Sequence, residues 1–240
     1  MDKDGPVPLY YQLLNDLRAR VSREFNPGDL FPTEESLCTQ YGVSRTTVRA
    51  AIDVLARENI LKRVRGKGTY VQEQKIEQNF FQNLTSFSHE IRVKGMTPST
   101  KVIEFNSGPA TEEDVFALNV SLDSSVFRLK RLRFINDQPV VLVITHVPYA
   151  LCVSLDSYNF ENESLYEVLE RNFSLPVAMA RREVEVTQAS KDLATALQVK
   201  RGTPLLLVKT TAYTREKTAI EYSVAYYRGD RNRFVVELER

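Results

Sequence analysis

Along the first seventy residues, apolar positions recur with helical spacing. Leu9, Leu13, Leu14, Leu17 and Val21 share one side of a helix, with Pro8 where a first turn tolerates proline. Asn26-Pro27-Gly28-Asp29 stops that helix and turns the chain. Thr33 is placed to cap a short second helix through Tyr41, with Glu34 and Glu35 favouring the dipole of its first turn. Gly42-Val43 is a tight break, and Ser44 caps a third helix predicted to run to about Glu58. On that helix Val48, Ala51, Ile52 and Leu55 gather on one side, and Arg45, Thr46, Arg49 and Asp53 on the other. Ile60-Leu61 and Thr69-Tyr70-Val71 predict two short strands around Arg65-Gly66-Lys67-Gly68. Two short helices, a turn containing glycine and an arginine-headed helix predict a helix-turn-helix, and the glycine hairpin with cationic flanks predicts its wing.

The pattern then changes. Gln72 to Asn83 is polar and rich in Gln and Asn, and 73–83 is expected to be a linker whose Ile76 and Phe80-Phe81 dock on either side. Beyond it, strands are predicted at Thr100–Phe105, Val126–Ile135, Val140–Val147, Ala178–Val186, Leu205–Tyr213, Ala219–Tyr227 and Phe234–Glu239. Asn136-Asp137 and Arg215-Glu216-Lys217 supply hairpin turns, and short helices fit Glu112–Leu118, Leu165–Asn172 and Lys191–Leu197. The fold class is therefore α+β: a winged helix-turn-helix over 1–72, a linker over 73–83, and an antiparallel-sheet domain over 84–240. The run Val140-Val141-Leu142-Val143-Ile144 is apolar throughout, which predicts a strand covered on both faces.

Composition narrows the chemistry. The 240 residues carry 32 Lys+Arg against 31 Asp+Glu, with the proportions of a water-soluble globular protein. No run of roughly eighteen apolar residues exists to span a membrane, and the polar N-terminus is unlike a signal peptide, so a cytoplasmic location is expected. Cys38 and Cys152 stand far apart, in no ligand spacing, and His89 and His146 are the only histidines. No metal site, cofactor or histidine-based catalysis is expected. Cys38 reads as a small core residue, and both histidines read as structural. Near-neutrality hides a local bias: Ser44 to Val71 holds seven basic residues and two acidic ones. A solvated helix face would explain the charge alone. Its coincidence with a helix-turn-helix and a wing points to a nucleic acid. The Gly-Lys-Gly-Thr of the wing lacks the first glycine of a nucleotide-binding loop.

Strand alternation offers a pocket in the second domain. On Val126–Ile135, Phe127 and Leu129 share a face with Arg131 and Arg133, two guanidiniums about 7 Å apart and suited to a phosphate or carboxylate. Equally, Val126, Leu132 and Phe134 define the core face and leave the arginines solvated. On Ala219–Tyr227, the small or hydrogen-bonding residues Ala219, Glu221, Ser223, Ala225 and Tyr227 form one face, either a ligand floor or a plain solvent face.

Four segments carry a resemblance: Pro8-Leu9-Tyr10, Phe31-Pro32-Thr33-Glu34, Tyr41-Gly42-Val43-Ser44-Arg45-Thr46-Thr47-Val48-Arg49 and Gly66-Lys67-Gly68-Thr69-Tyr70-Val71. Together they resemble the GntR family of bacterial transcription regulators. The resemblance implies that Arg45 and Arg49 read bases, that Thr46 and Thr47 contact phosphate or base, and that Gly66 and Lys67 enter the minor groove. Thr33 and Arg65 complete the expected DNA-binding set. At Glu35 the chain departs from the Arg of many members, so a guanine contact is expected to be missing there.

Leu84-Thr85-Ser86-Phe87-Ser88, Arg92-Val93-Lys94-Gly95-Met96, Lys130-Arg131-Leu132-Arg133, Ser164-Leu165-Tyr166 and Tyr227-Arg228-Gly229-Asp230-Arg231 are similar to the UTRA effector domain. That domain marks the HutC branch and shares the fold of chorismate lyase. The resemblance, strongest to regulators of amino-sugar use, implies a sugar-phosphate effector. Ser86, Phe87, Ser88, Arg131, Arg133, Ser164 and Tyr166 would hold its phosphate. Glu221 would accept from sugar hydroxyls or an amine, and Tyr227 would close the site. Glu221 and Tyr227 are separated by about 20 Å of straight strand. The expected protein is a one-component regulator, a repressor by family tendency, binding an inverted-repeat operator as a homodimer and released by a small effector. Two alternatives stand beside it. One is an enzyme related to chorismate lyase acting on a small anion, and the other is a DNA-bending architectural protein.

Overall fold

Signals local to the first seventy residues become three helices and a small sheet. The computed structural model describes residues 6–72, 75–78 and 84–237. The chain divides into two units, Met1–Lys75 and Ile76–Arg240. In the first unit, α1 (Leu9–Glu24), α2 (Glu34–Tyr41) and α3 (Arg45–Arg57) close on one core. Leu13, Leu14 and Leu17 of α1 and Leu37 of α2 meet Val48, Ala51, Ile52 and Leu55 of α3 there, with Cys38 packed at its edge. The Thr33 hydroxyl accepts from the Ser36 amide and that of Ser44 from the Thr47 amide, so α2 and α3 begin where their caps predict. Gly42 ends α2 at φ 63°, a left-handed conformation that costs glycine little.

A three-stranded antiparallel sheet completes this unit, in the order β1 (Leu30–Phe31), β3 (Gly68–Val71), β2 (Leu61–Val64). Strand β1 has no sequence signal, since two residues cannot alternate. In the wing, Gly68 takes a φ of 116°, which favours glycine, and a Cβ there would stand 2.8 Å from Cδ1 of the exposed Leu30 side chain, which can swing aside.

The second unit opens with β4 (Ile76–Gln78) and α4 (Phe87–Val93). Its main sheet is built from β5 (Pro98–Pro109), β6 (Ser125–Ile135), β7 (Gln138–Pro148), β8 (Met179–Gln188), β9 (Pro204–Tyr213) and β10 (Ala219–Arg228), and β11 (Asn232–Phe234) follows. The six strands pair antiparallel in the order β5-β6-β7-β10-β9-β8. Asn136 and Asp137 both take positive φ between β6 and β7, as a tight right-twisted hairpin requires. Helices α5 (Glu112–Leu118), α6 (Leu165–Phe173) and α7 (Lys191–Leu197) connect the strands.

Both faces of the sheet are covered. On one, α6 contributes Leu165, Val168 and Leu169 against Phe127 and Leu129 of β6. On the other, α7 brings Ala194 and Leu197 against Leu132 and Leu142. The choice between the two faces of β6 is thereby removed: Leu132 belongs to a core, and the arginine face is enclosed as well.

Two expectations are corrected. Residues 76–78, expected in the linker, form β4 and pair in parallel with β11, Asn232 against Ile76 and Phe234 against Gln78. The last strand, expected over Phe234–Glu239, is β11 instead and ends at Phe234. Its position is set by Asn232, whose buried amide donates to the carbonyls of Val140 and Arg228. Phe80-Phe81 and residues 238–240 lie outside the described residues.

Candidate functional site

Each unit presents one concentration of functional side chains. In the first, α3 points Arg45, Thr46 and Arg49 outward near its N-terminal end, and all three are exposed. Thr47 is half-buried, and its hydroxyl and that of Thr46 each lie 2.8 Å from the Ser44 hydroxyl. Arg65, Gly66 and Lys67 sit at the exposed wing tip, closed by a bond from the Lys67 amide to the Val64 carbonyl. Thr33 is exposed but occupied as the cap of α2, and Glu35 is exposed beside it.

Glu34, noted in the sequence only as a first-turn acid, has a larger part. Its carboxylate lies 3.1 Å from Arg49 Nη2, 3.3 Å from Arg63 Nη2 and 3.6 Å from Arg45 Nε. The bonded Arg49 guanidinium, opposed by partial burial, holds the Glu34 carboxyl below its usual range.

In the second unit a cavity of about 120 Å³ opens over the sheet. All nine residues expected to bind an effector line it: Ser86, Phe87, Ser88, Arg131, Arg133, Ser164, Tyr166, Glu221 and Tyr227. Cross-strand register explains the assembly. Arg133 pairs with Val141 and Val141 with Tyr227, so Tyr227 lies two strands across from Arg133 in one row. Arg131 lies in the next row on this face, with Val143 and Ala225. Glu221, farther along β10, meets the same cavity from its other end. The arginines of β6, two strands away from β10, line the same cavity as Glu221 and Tyr227, so both ends of that 20 Å stretch meet one site.

Electrostatically the cavity has two poles. Arg131 is only 4% exposed, and Nη2 donates to the Thr145 hydroxyl at 3.3 Å. Nε of both Arg131 and Arg133 is buried without a hydrogen-bond partner. Burial first, then the like charge of Arg133, lowers the pKa of Arg131, which nonetheless stays cationic at neutral pH. The Arg133 guanidinium stacks over the Phe87 ring, 5.0 Å from its centroid. At the other pole Glu221 is also 4% exposed and accepts from the Tyr166 hydroxyl at 2.7 Å.

Burial raises the Glu221 pKa, with the Tyr166 bond and Arg131 opposing it. A raised carboxyl contributes stability that is full below the ordinary carboxylate range and is lost as pH rises through its own raised value. Glu221→Gln is therefore expected to remove that loss. Thermal midpoints measured from acid to neutral pH should fall more steeply in the wild type than in the variant. A steeper fall in the variant would contradict the assignment.

The sequence did not single out Arg182, Thr145 or Thr210 for the cavity. Arg182 pairs with Thr210, Thr210 with Ser223, and Ser223 with Thr145, one polar row across four strands. No local signal could have found it, because the row exists only through long-range pairing. Sequence also gave no helix at Phe87–Val93, where the Ser86 hydroxyl caps α4 by accepting from the His89 amide. His89 is exposed, and His146 is bonded to the buried Asp114 carboxylate, a structural arrangement. Among the described residues no His, Cys, Asp or Glu grouping could hold a metal, and no helix is long and apolar enough to cross a membrane.

Residues 9–71 match the family of bacterial regulatory proteins named for gntR, and residues 93–233 match the UTRA domain. The chain is 36% identical over 241 residues to the HTH-type transcriptional repressor NagR of Bacillus subtilis, covering 100% of this chain and 98% of that protein. It is 30% identical to the mannosyl-D-glycerate transport/metabolism system repressor MngR of Escherichia coli, covering 98% of each. Among solved structures, PhnF from Mycobacterium smegmatis shares the fold with a TM-score of 0.82 at 24% identity, over 94% of this chain and 98% of that one. These relatives are regulators, which decides against the enzymatic alternative. The chain belongs to the gntR family of bacterial regulatory proteins and is a DNA-binding, ligand-responsive transcription regulator with a UTRA domain.

Proposed function

We propose that the protein is a cytoplasmic repressor that binds an inverted-repeat operator as a homodimer and is released by a phosphorylated sugar. The observation that carries the effector reading is the pair Arg131 and Arg133, enclosed on the cavity floor with buried Nε–H groups lacking acceptors. A buried donor left unmade costs about 1–3 kcal/mol, which an anion with several oxygens recovers. Ser86, Ser88 and Ser164 add hydroxyls at the cavity wall, Phe87 fixes Arg133, and Tyr227 lies beside it across the sheet. Glu221 and Tyr166, at the far pole, suit the hydroxyls or amine of a sugar. MngR and the probable fructoselysine utilization operon transcriptional repressor of Escherichia coli, 29% identical, are named for sugar-derived compounds, which supports the same class.

On the DNA side, Arg45 and Arg49 would read base edges in the major groove. Thr33, Thr46 and Thr47 would contact the backbone or adjacent bases. Arg65, Gly66 and Lys67 would carry the wing to the minor groove. Release would follow if the effector binds better to an arrangement of the two units that does not fit the operator.

The test is in vitro selection of a bound duplex from random DNA with the full-length chain, followed by fluorescence anisotropy at fixed salt. Glucosamine 6-phosphate, N-acetylglucosamine 6-phosphate and their unphosphorylated parents would then be added singly. Release by a phosphorylated sugar and not by its parent supports the reading. Tight binding that none of them alters removes the sugar-phosphate assignment and leaves the regulator.

A further inference from the structure

One carboxylate sits among the arginines of the DNA-facing surface. Glu34, the first residue of α2, is bonded by Arg49 through both Nε at 3.4 Å and Nη2 at 3.1 Å. Arg45, one turn earlier on α3, approaches the same carboxylate at 3.6 Å. The third guanidinium, Arg63, arrives from strand β2 of the wing at 3.3 Å, and its other terminal nitrogen is 2.6 Å from Asp53 of α3. A single side chain therefore ties α2, α3 and the wing together. Arg63 is bonded on both sides, to Glu34 and to Asp53, whereas among the described residues Arg49 bonds Glu34 through Nε and Nη2.

Two physical consequences follow. First, arginine carries about 2 kcal/mol of rotamer entropy, and the Arg45 and Arg49 side chains are 70% and 58% exposed. Without the carboxylate, three like charges would repel one another and sweep the solvent. With it, the Nε–Nη2 edge of Arg49 is occupied, and the edge left for a base is the Nη1–Nη2 one, which can pair guanine O6 and N7. Second, a phosphate competing for these guanidiniums must approach a carboxylate of its own sign. Base edges, being neutral, bear no such penalty. The arrangement disfavours backbone contacts by the two arginines and leaves base contacts intact.

We propose that Glu34 is a specificity-determining residue. It positions Arg45 and Arg49 for base reading and withholds their charge from non-specific DNA. This rests on the reading of α3 as the recognition helix, and the experiment separates the two.

Full-length wild type and Glu34→Gln are compared by anisotropy on the selected duplex and on a mixed-sequence duplex of equal length, across a salt series. The variant is expected to bind mixed-sequence DNA about tenfold more tightly, with a salt slope steeper by about one. Its ratio of selected to mixed affinity is expected to fall by about tenfold. In an Arg49→Ala background most of that fall should vanish, because Glu34 acts through Arg49; a merely structural role would leave it unchanged. An unaltered ratio in Glu34→Gln, or the same fall in both backgrounds, overturns the proposal. If Glu34→Gln does not fold, Glu34→Asp keeps the charge but falls a methylene short. It must then lower the ratio without tightening mixed-sequence binding, and an unchanged ratio overturns the proposal. If Arg45→Ala and Arg49→Ala both keep the wild-type sequence preference, the recognition-helix reading has failed, a result distinct from a Glu34-specific failure.

Discussion

Replacing Arg131 by Met is expected to stabilise the unliganded protein and to shift its release from DNA to sugar-phosphate concentrations about one to two orders of magnitude higher. The side chain is buried on the floor of the cavity, and among the described residues its hydrogen bond goes to Thr145 at 3.3 Å. A charge held in that setting carries a desolvation penalty that its neighbours only partly return, since Arg133 repels it and Glu221 attracts it. Met fills similar volume with no polar atom. Replacements of this kind are commonly neutral or stabilising by about 1–4 kcal/mol, and the low end is expected because Glu221 loses a nearby cation. Function should move the opposite way. Losing one charged donor set to a phosphate costs about 1.5–3 kcal/mol, or roughly one to two orders of magnitude in effector affinity. Thermal unfolding with and without glucosamine 6-phosphate reads both effects. The wild type should gain about 2.7 kcal/mol at a hundredfold excess of ligand over its dissociation constant, and the variant only about 0.4–1.4 kcal/mol at the same concentration. A variant that melts lower in the absence of ligand and still shifts fully with it would place the anion site elsewhere. DNA affinity without effector should be unchanged, since Arg131 belongs to the second unit.

This opposition of stability and binding is why the cavity was only half legible in the sequence. Alternation placed Arg131 and Arg133 on one face and Glu221, Ser223 and Tyr227 on another strand's face, because side-chain direction in a strand is local information. Whether those faces met, and whether a roof covered them, depends on pairing between β6, β7 and β10, which no local pattern encodes. Arg182 shows the limit: it enters the cavity through β8 and β9, two strands removed from β10. The short parallel pair of β4 and β11 shows it again, since Arg233 bonds Glu77 across 156 residues of sequence. The helix-turn-helix was legible in detail for the converse reason. Its boundaries are set by Thr33, Gly42 and Ser44, each acting within four residues of itself. Even there the Glu34–Arg63 contact, 29 residues apart, was out of reach. Fold class needs mostly local signals, whereas a site is made by the long-range register that sets them side by side.

Arg45→Ala and Arg49→Ala are each expected to weaken binding to the selected duplex by about 1–3 kcal/mol, roughly fivefold to more than a hundredfold, and to relax the preference at one base position. Both side chains leave α3 on its exposed side, opposite Val48, Ala51, Ile52 and Leu55, which are buried in the helical core. Truncating either removes no core contact, so the thermal midpoint should move little, and the small change expected comes from loosening the Glu34 bond. That separation makes the measurement decisive: affinity falls while the fold stays. Repeating the selection with each variant identifies the base it reads, since one position should become degenerate while its neighbours keep their preference. Lys67→Ala at the wing tip gives the contrast. Removing a cation that faces the backbone should weaken selected and mixed duplexes alike and reduce the salt slope by about one. If Arg45→Ala and Arg49→Ala instead behave like Lys67→Ala, with uniform loss and an unchanged consensus, α3 lies along the phosphates and the bases are read by another element.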